Sequence, residues 1–517
     1  MKRRNFLKSS LTGLSMIGLP QVGTKAAAPS FSDYKALVYI YLDGGNDAWN
    51  SFIPASGSGN SQWTVYNNGR GDLSVANTDM TLPSIGTLSQ GTGNPYYSSG
   101  GDSVSYLSGA YPLTGISEVR VNAMMPELAR LLEDGKVSLI GDIGTLVEPL
   151  NNGKTDYQNA SKKKPAFLFA HNHQTRVIQT GKADDLNATG WTGRLGDLWS
   201  GINSGSVMGL NVSFNGQVRL MTGVQSKPVL FSTGNTISYS GLDNDGNSLK
   251  TSRRTLFKSL YGSNPGNDPF SSVYNRMLKN SLELDDLLAI YWNSTHKTSF
   301  SSKGSYGESL FSIPSKTYTG MEDELEGDLI QQLEAVAQLI YLGSSKMSFN
   351  RQVFFVNFGS FDTHGNQAEE HPVLLRELSV ALWKFQKALE EMEVDDKVAT
   401  FTLSDFGRTI GNNGDGTDHA WSTINLVMSK SSGTSFNGGK FYGSLPNFTM
   451  GGADDIKDGG KGRFVPKLSV DQMNATLCSW FGVPDANMIT LFPNLDNFKT
   501  GTGISSAYLK LSGTKLI

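Results

Sequence analysis

"KALVYIYLDGGND" (residues 35–47) is the stretch whose reading decides the fold. Ala36 to Leu42 form an unbroken apolar run of strand length, which suits a central strand buried on both faces. The run stops abruptly at Asp43-Gly44-Gly45. The pattern recurs twice. "QVFFVNFGSFDTHGNQ" (352–367) is an apolar run leading into Asp362 and His364, and "VATFTLSDFGRT" (398–409) is another leading into Asp405. In open α/β sheets, ligands bind at the carboxyl ends of the strands. If the three strands are neighbours in one parallel sheet, three carboxylates meet there.

Helical periodicity separates these strands. In "MMPELARLLEDGKVSLIGDIG" (124–144), Met125, Leu128, Leu131 and Leu132 share a helix face, Gly135 ends the helix, and Val137 to Ile140 start a further strand. Leu329, Leu333, Val336, Ala337, Ile340 and Tyr341 line one face of another helix. "HPVLLRELSVALWKFQKALEEM" (371–392) reads as a long amphipathic helix, "STINLVMS" (422–429) as a strand, and Ser469 with Gln472 as a capping box. The expected fold class is therefore α/β, a three-layer sandwich with a mainly parallel central sheet.

The chain opens with "MKRRNFLKSS". Arg3 and Arg4 before Phe6-Leu7-Lys8 and a short apolar stretch form the pattern of a twin-arginine export signal over residues 1–28. The Tat export machinery is then a partner, and the destination is periplasmic or extracellular. Without its five basic residues the chain carries 39 basic and 47 acidic residues, a net charge of −8. That balance gives no electrostatic footprint for nucleic acid. No later apolar run is long enough to cross a bilayer, so no stable membrane span is expected. The 58 glycines in 517 residues exceed the ~7% typical share. Gly/Ser-rich insertions are expected near 55–120 and 200–320 of a single domain over 29–517. Cys478, the lone cysteine, sits among apolar neighbours and reads as packing.

Asp43 and Asp47 share a glycine turn and are, alone, better read as solvated acids. Asp362 and His364 are two residues apart, so an extended segment puts both on one side. Asp405, Asp418 and His419 complete a group whose negative charges repel each other without a cation. The candidate metal ligands are Asp43, Asp362, His364, Asp405 and His419. An oxygen-rich set with two imidazoles suits Zn²⁺ or Mn²⁺, or Ca²⁺ or Mg²⁺ if the histidines contribute little.

Together, "DGGNDAWN", "FDTHGNQ", "SDFGRT", "GTDHAW" and "GWTGRLGDL" (190–198) resemble the bacterial domain-of-unknown-function family 1501, which is similar in fold to the alkaline phosphatase and sulfatase superfamily. The resemblance implies that Asp43 and Asp405 match metal ligands, that His419 matches a downstream ligand or oxyanion partner, and that Asp362 and His364 serve a second metal. Two positions depart from it. Phe406 stands where phosphatases often have a ligating His. Ala170, in "FLFAHNHQTRVIQT" (167–180), stands where many relatives have Ser. His171 and His173 remain there as candidate catalytic residues or as a polar helix cap, while Thr175 and Thr145 are poor substitutes for the nucleophile. Arg408 is a candidate contact to an anionic group or, alternatively, an ion-pair partner of a neighbouring acid. The implied function is an exported metal-dependent hydrolase acting on a small anionic phosphate or sulfate ester. The alternative is an inactive relative serving in binding or envelope assembly.

Overall fold

The strand at Lys35–Leu42 (β1) is buried along nearly its whole length, and successive side chains enter different cores. Ala36, Val38, Ile40 and Leu42 join one apolar cluster; Leu37, Tyr39 and Tyr41 join another. A strand with two buried faces must have layers on both sides. The computed structural model describes residues 29–55, 61–86, 88, 109–233, 242, 247–262, 269–314, 325–430, 436–457 and 459–517. The signal read at 1–28 lies outside the described residues, as do parts of the segments 55–120 and 200–320.

The further strands are β2 (Phe52–Pro54), β3 (Ala110–Tyr111), β4 (Val119–Asn122), β5 (Val137–Gly144), β6 (Asn211–Ser213), β7 (Val229–Leu230), β8 (Arg351–Phe358), β9 (Val398–Ser404), β10 (Arg408–Asn412), β11 (Thr417–His419), β12 (Thr423–Met428), β13 (Phe441–Tyr442), β14 (Leu468–Ser469), β15 (Lys510–Leu511) and β16 (Thr514–Lys515). The main sheet runs β13-β5-β12-β9-β1-β8-β6-β7, with β14 also paired to β5. It is mixed but mostly parallel: β12 alone runs against its neighbours, β5 and β9. β1 pairs in parallel with both β8 and β9. Leu42 lies level with Phe358 on one side and Ser404 on the other. Asp43 and Asp405 therefore leave adjacent strands at one height, and Asp362 follows four residues past the end of β8.

Helices cover both faces. Pro126–Glu133 (α1), Asp328–Ser345 (α4) and Gln367–Glu391 (α5) contribute Leu128, Leu333 and Leu382 to the first cluster. His171–Thr180 (α2), Trp191–Leu198 (α3) and Val470–Phe481 (α6) contribute Ile178, Trp191, Leu195 and Met473 to the second. Each such fully buried Leu, Ile or Met is worth about 1.5–3 kcal/mol. Ser469 makes the expected capping box with Gln472 at the start of α6, and Cys478 is wholly buried on that helix.

Part of the segment at 200–320 joins the main sheet. It contributes β6 and β7, which extend the main sheet beyond β8. Strands of three and two residues carry too little periodicity to be read from sequence. In the 55–120 segment, the helix Ser61–Arg70 brings Arg70 into a buried ion pair with Asp47, which removes Asp47 from solvent. Among the described residues, no helix is long and apolar enough to cross a membrane.

Candidate metal centre

The carboxyl ends of β9, β1 and β8 frame the site, and glycine lets the first loop cross it. Gly44 has φ +114°, and a Cβ there would lie 2.4 Å from the backbone nitrogen of Asp362. Only a residue without a side chain allows the turn after β1 to run this close to the turn after β8. In that second turn Phe361 is buried as an anchor, and Thr363 and His364 donate backbone N–H groups to the carbonyls of Phe361 and Asp362. Asp362 and His364 are thereby presented on one side, both exposed. His419 ends β11, which pairs with β10. His171 begins α2.

The three imidazoles meet at their Nε2 atoms. His171 Nε2 is 2.9 Å from His419 Nε2, and His364 Nε2 is 2.7 Å from the same atom. Asp362 Oδ1 lies 3.3 Å from His171 Nε2, 3.3 Å from His364 Nε2 and 3.4 Å from His419 Nε2. The opposite ring nitrogens fix the protons. His419 Nδ1 is 2.8 Å from the Phe169 carbonyl, which only accepts, so Nδ1 carries the hydrogen. His171 Nδ1 is 2.6 Å from Asp405 Oδ2, which sets the same tautomer. In the neutral rings both Nε2 atoms then present lone pairs to each other and to a carboxylate oxygen. Protons can relieve these contacts if a doubly protonated His171 donates from Nε2 to Asp362 and His364 donates from Nε2 to His419. A cation held by the bare Nε2 atoms would take the place of those protons.

The spacing also suits an ion. Donors held tetrahedrally at ~2.0 Å from zinc are about 3.3 Å apart. His171, Asp362 and His419 form a triangle with sides of 2.9, 3.3 and 3.4 Å, and they are the described residues whose donor atoms all lie close enough together to hold a metal ion.

A second set of residues holds the first. Asp405, 2% exposed, accepts from the Tyr41 hydroxyl and from His171 Nδ1, with the Gly44 N–H 3.4 Å away. Its oxygens are committed, so it orients His171 from behind. The Tyr41 hydroxyl also lies 2.9 Å from that of Thr175. Phe406 is buried and packs its ring 4.7 Å from His171 and 4.4 Å from His419. Arg408 is fully buried; it pairs with Asp362 Oδ1 and donates to the carbonyls of Gly44, Gly45, Phe361 and Thr417. It staples three loops together and has no face for a ligand. Asp418 Oδ1 is 3.7 Å from His364 Nδ1. Phe169 holds its carbonyl toward His419 from a left-handed backbone, φ +71°, a strain typical of functional sites.

The charges respond to this packing. The hydrogen bond that His171 donates to Asp405 raises the pKa of His171 against the effect of burial. Burial lowers that of His419. Burial would raise Asp362, but Arg408 outweighs it and holds the carboxyl below its ordinary value. Burial, with the charge of Asp405, raises Asp43. The Asp43 carboxylate makes no hydrogen bond or ion pair among the described residues, although it is partly buried.

Of the sequence candidates, Asp362, His364 and His419 come together, with Asp43 beside them and Asp405 one layer out. His171 joins the cluster itself. His173 does not; its ring stacks on Phe167 at 4.4 Å. Thr145 is buried and donates to Gln174. Sequence reasoning missed Tyr41, which looks like one more apolar strand residue. Its odd-numbered place on β1, on the face of Tyr39, was the available signal.

Residues 343–501 match a family model described as "Protein of unknown function (DUF1501)". The match supports the resemblance to that family over this segment. It holds Asp362, His364, Asp405, Arg408 and His419; Asp43 and His171 lie before it. No curated protein matches the chain.

Proposed function

We propose that the chain is an exported, metal-dependent hydrolase acting on a phosphate or sulfate ester. One observation carries the metal: three imidazole Nε2 atoms and a carboxylate oxygen converge, with Asp362 Oδ1 3.3–3.4 Å from each Nε2 and the His419 Nε2 2.7 and 2.9 Å from the other two. A set rich in imidazole favours Zn²⁺ or Mn²⁺ over Ca²⁺ or Mg²⁺. His171, His419 and Asp362 would hold the ion, with His364 as a further donor. When bound, it would supply Lewis acidity toward an ester oxygen and make nearby water more acidic. Asp405 keeps His171 in the correct tautomer. Asp43, unpartnered among the described residues and of raised proton affinity, would take a proton from an attacking water. The exposure of Asp362 and His364 leaves an approach from solvent.

Ala170 favours a second reading, a binding or envelope-assembly protein without catalysis. It is the N-cap of α2 and offers no hydroxyl, where the superfamily chemistry wants a nucleophile. Elemental analysis of purified protein, combined with a panel of phosphate and sulfate esters, separates the two. The hydrolase reading expects about one divalent ion per chain, lost in His419→Ala together with ester hydrolysis. Metal without turnover would favour the binding reading. Protein that neither holds nor responds to Zn²⁺ or Mn²⁺ would remove both the ion and the enzyme. Export is tested separately: replacing Arg3 and Arg4 with Lys should leave the precursor in the cytoplasm, and normal export of that variant would refute the twin-arginine reading.

A further inference from the structure

Arg463 lies beside this centre and is built unlike the other arginine there. Its loop is held from inside by Asp455, which is fully buried. The Asp455 carboxylate accepts from the backbone N–H groups of Gly451, Lys457, Gly462 and Arg463 at 2.9, 3.1, 2.8 and 3.0 Å. The Arg463 side chain is then fixed by two contacts. Its Nε donates to the His419 carbonyl at 2.7 Å, and its guanidinium carbon sits 3.9 Å from the centre of the Phe169 ring. Both contacts belong to the centre, because His419 offers it Nε2 and the Phe169 carbonyl holds His419 Nδ1.

These contacts use Nε and the flat face of the guanidinium. They leave both Nη nitrogens without a hydrogen-bond or ion-pair partner among the described residues, and the side chain is only partly buried. Arg408 is the contrast: fully buried, with Nε and both Nη nitrogens committed to carbonyls and to Asp362. An arginine whose plane is fixed while two parallel donors stay free is preorganised for a tetrahedral oxyanion, which it can grip with two charge-assisted hydrogen bonds.

We propose that Arg463 is the substrate-anion anchor of this site, taking the anionic group of the ester through its two Nη nitrogens and so selecting charged over neutral esters. The inference rests on the hydrolase reading for its substrate, but not for its anion. The test uses the full chain, freed of phosphate, with inorganic phosphate as the probe, followed by calorimetry. Wild-type protein should bind phosphate. Arg463→Gln should weaken binding by about a hundredfold or more, the loss expected for two hydrogen bonds to a charged group. Arg463→Lys should recover part of the affinity, since it restores the charge but not the fork. Metal content should be unchanged in both variants. Where ester turnover is found, Arg463→Gln should raise KM for a phosphate monoester far more than for a carboxylic ester with the same leaving group. Phosphate binding that survives Arg463→Gln, or is absent from the wild type, overturns the anchor. So does a loss of metal together with phosphate, which would make Arg463 a brace for His419. Absence of metal from wild-type protein that still binds phosphate through Arg463 would defeat the hydrolase reading and leave the anchor standing.

Discussion

At the scale of single residues, the centre depends on where hydrogens sit. Asp405 holds the hydrogen of His171 on Nδ1 and frees Nε2. Asp405→Asn keeps the volume but replaces a charged acceptor with an amide that can turn its own N–H₂ toward the ring, which favours the wrong tautomer. Loss of such an outer partner typically weakens metal binding about 10–100-fold. We expect that range for Asp405→Asn in competition with a chromophoric chelator, and a smaller change for Tyr41→Phe, which leaves the Asp405–His171 contact in place. Wild-type affinity in Asp405→Asn would show that the carboxylate does not act through His171. Sequence placed Asp405 at a strand end because strand ends are legible in apolar runs. It did not show that the carboxylate turns toward a histidine 234 positions away. Direction and partner are properties of packing, so a candidate ligand and a residue that would support it look alike in the chain. Phe406 illustrates the same limit. It reads as a missing ligand, and the structure gives it the task of wedging two imidazoles.

At the scale of elements, the long periodic helices and the three apolar strands were legible because their patterns extend over many residues. The strand pairs β6–β7 and β10–β11 were not, since their two to five residues carry too little alternation to read. Buried ion pairs between helices were equally hidden. Glu127 on α1 and Arg376 on α5 are both fully buried and bonded through two pairs of atoms, and Ser379 donates to the same carboxylate. Glu127→Ala strands the guanidinium in the core and should cost about 3–5 kcal/mol in urea denaturation. Replacing both residues, Glu127→Leu with Arg376→Met, should cost clearly less, because no lone charge remains. A single substitution no worse than the double would mean that the pair contributes nothing to docking α1 on α5. The start of α2 offers a change of the opposite sign. Ala170 already has an extended backbone, φ −112° and ψ 112°, but no capping side chain. Ala170→Ser should add the missing cap and raise stability by about 1 kcal/mol. An unchanged melting temperature would mean that the new hydroxyl does not reach the free N–H groups of the helix.

Across the whole molecule, buried titratable groups pull its acid stability in opposite directions. His371 on α5 is fully buried, with Nε2 3.1 Å from the Asn46 side-chain oxygen, and burial pushes its pKa from 6.5 to about 4. Between those values the unfolded chain takes up a proton that the folded one refuses. Acidification therefore favours unfolding, by as much as about 3 kcal/mol from this group once the pH reaches 4. Asp142 and Asp471 act the other way. Burial raises each to about 7, so the folded chain holds their protons while the unfolded chain has lost them. Their contribution is present at acid pH and is lost as the pH rises toward 7. The wild-type curve is a sum in which these effects partly cancel, and its shape alone assigns nothing. A difference between variants isolates one group. His371→Asn removes the titrating ring, and the terms from Asp142 and Asp471 are common to both proteins. In urea denaturation with a chelator present, the variant should be less stable than wild type at pH 7, where a neutral packed ring has been lost. That deficit should shrink by up to about 3 kcal/mol between pH 6.5 and 4. A deficit that stays constant across this window would mean that His371 takes up its proton as readily in the folded chain as in the unfolded one, and that its place beneath Asn46 exerts no control over acid stability.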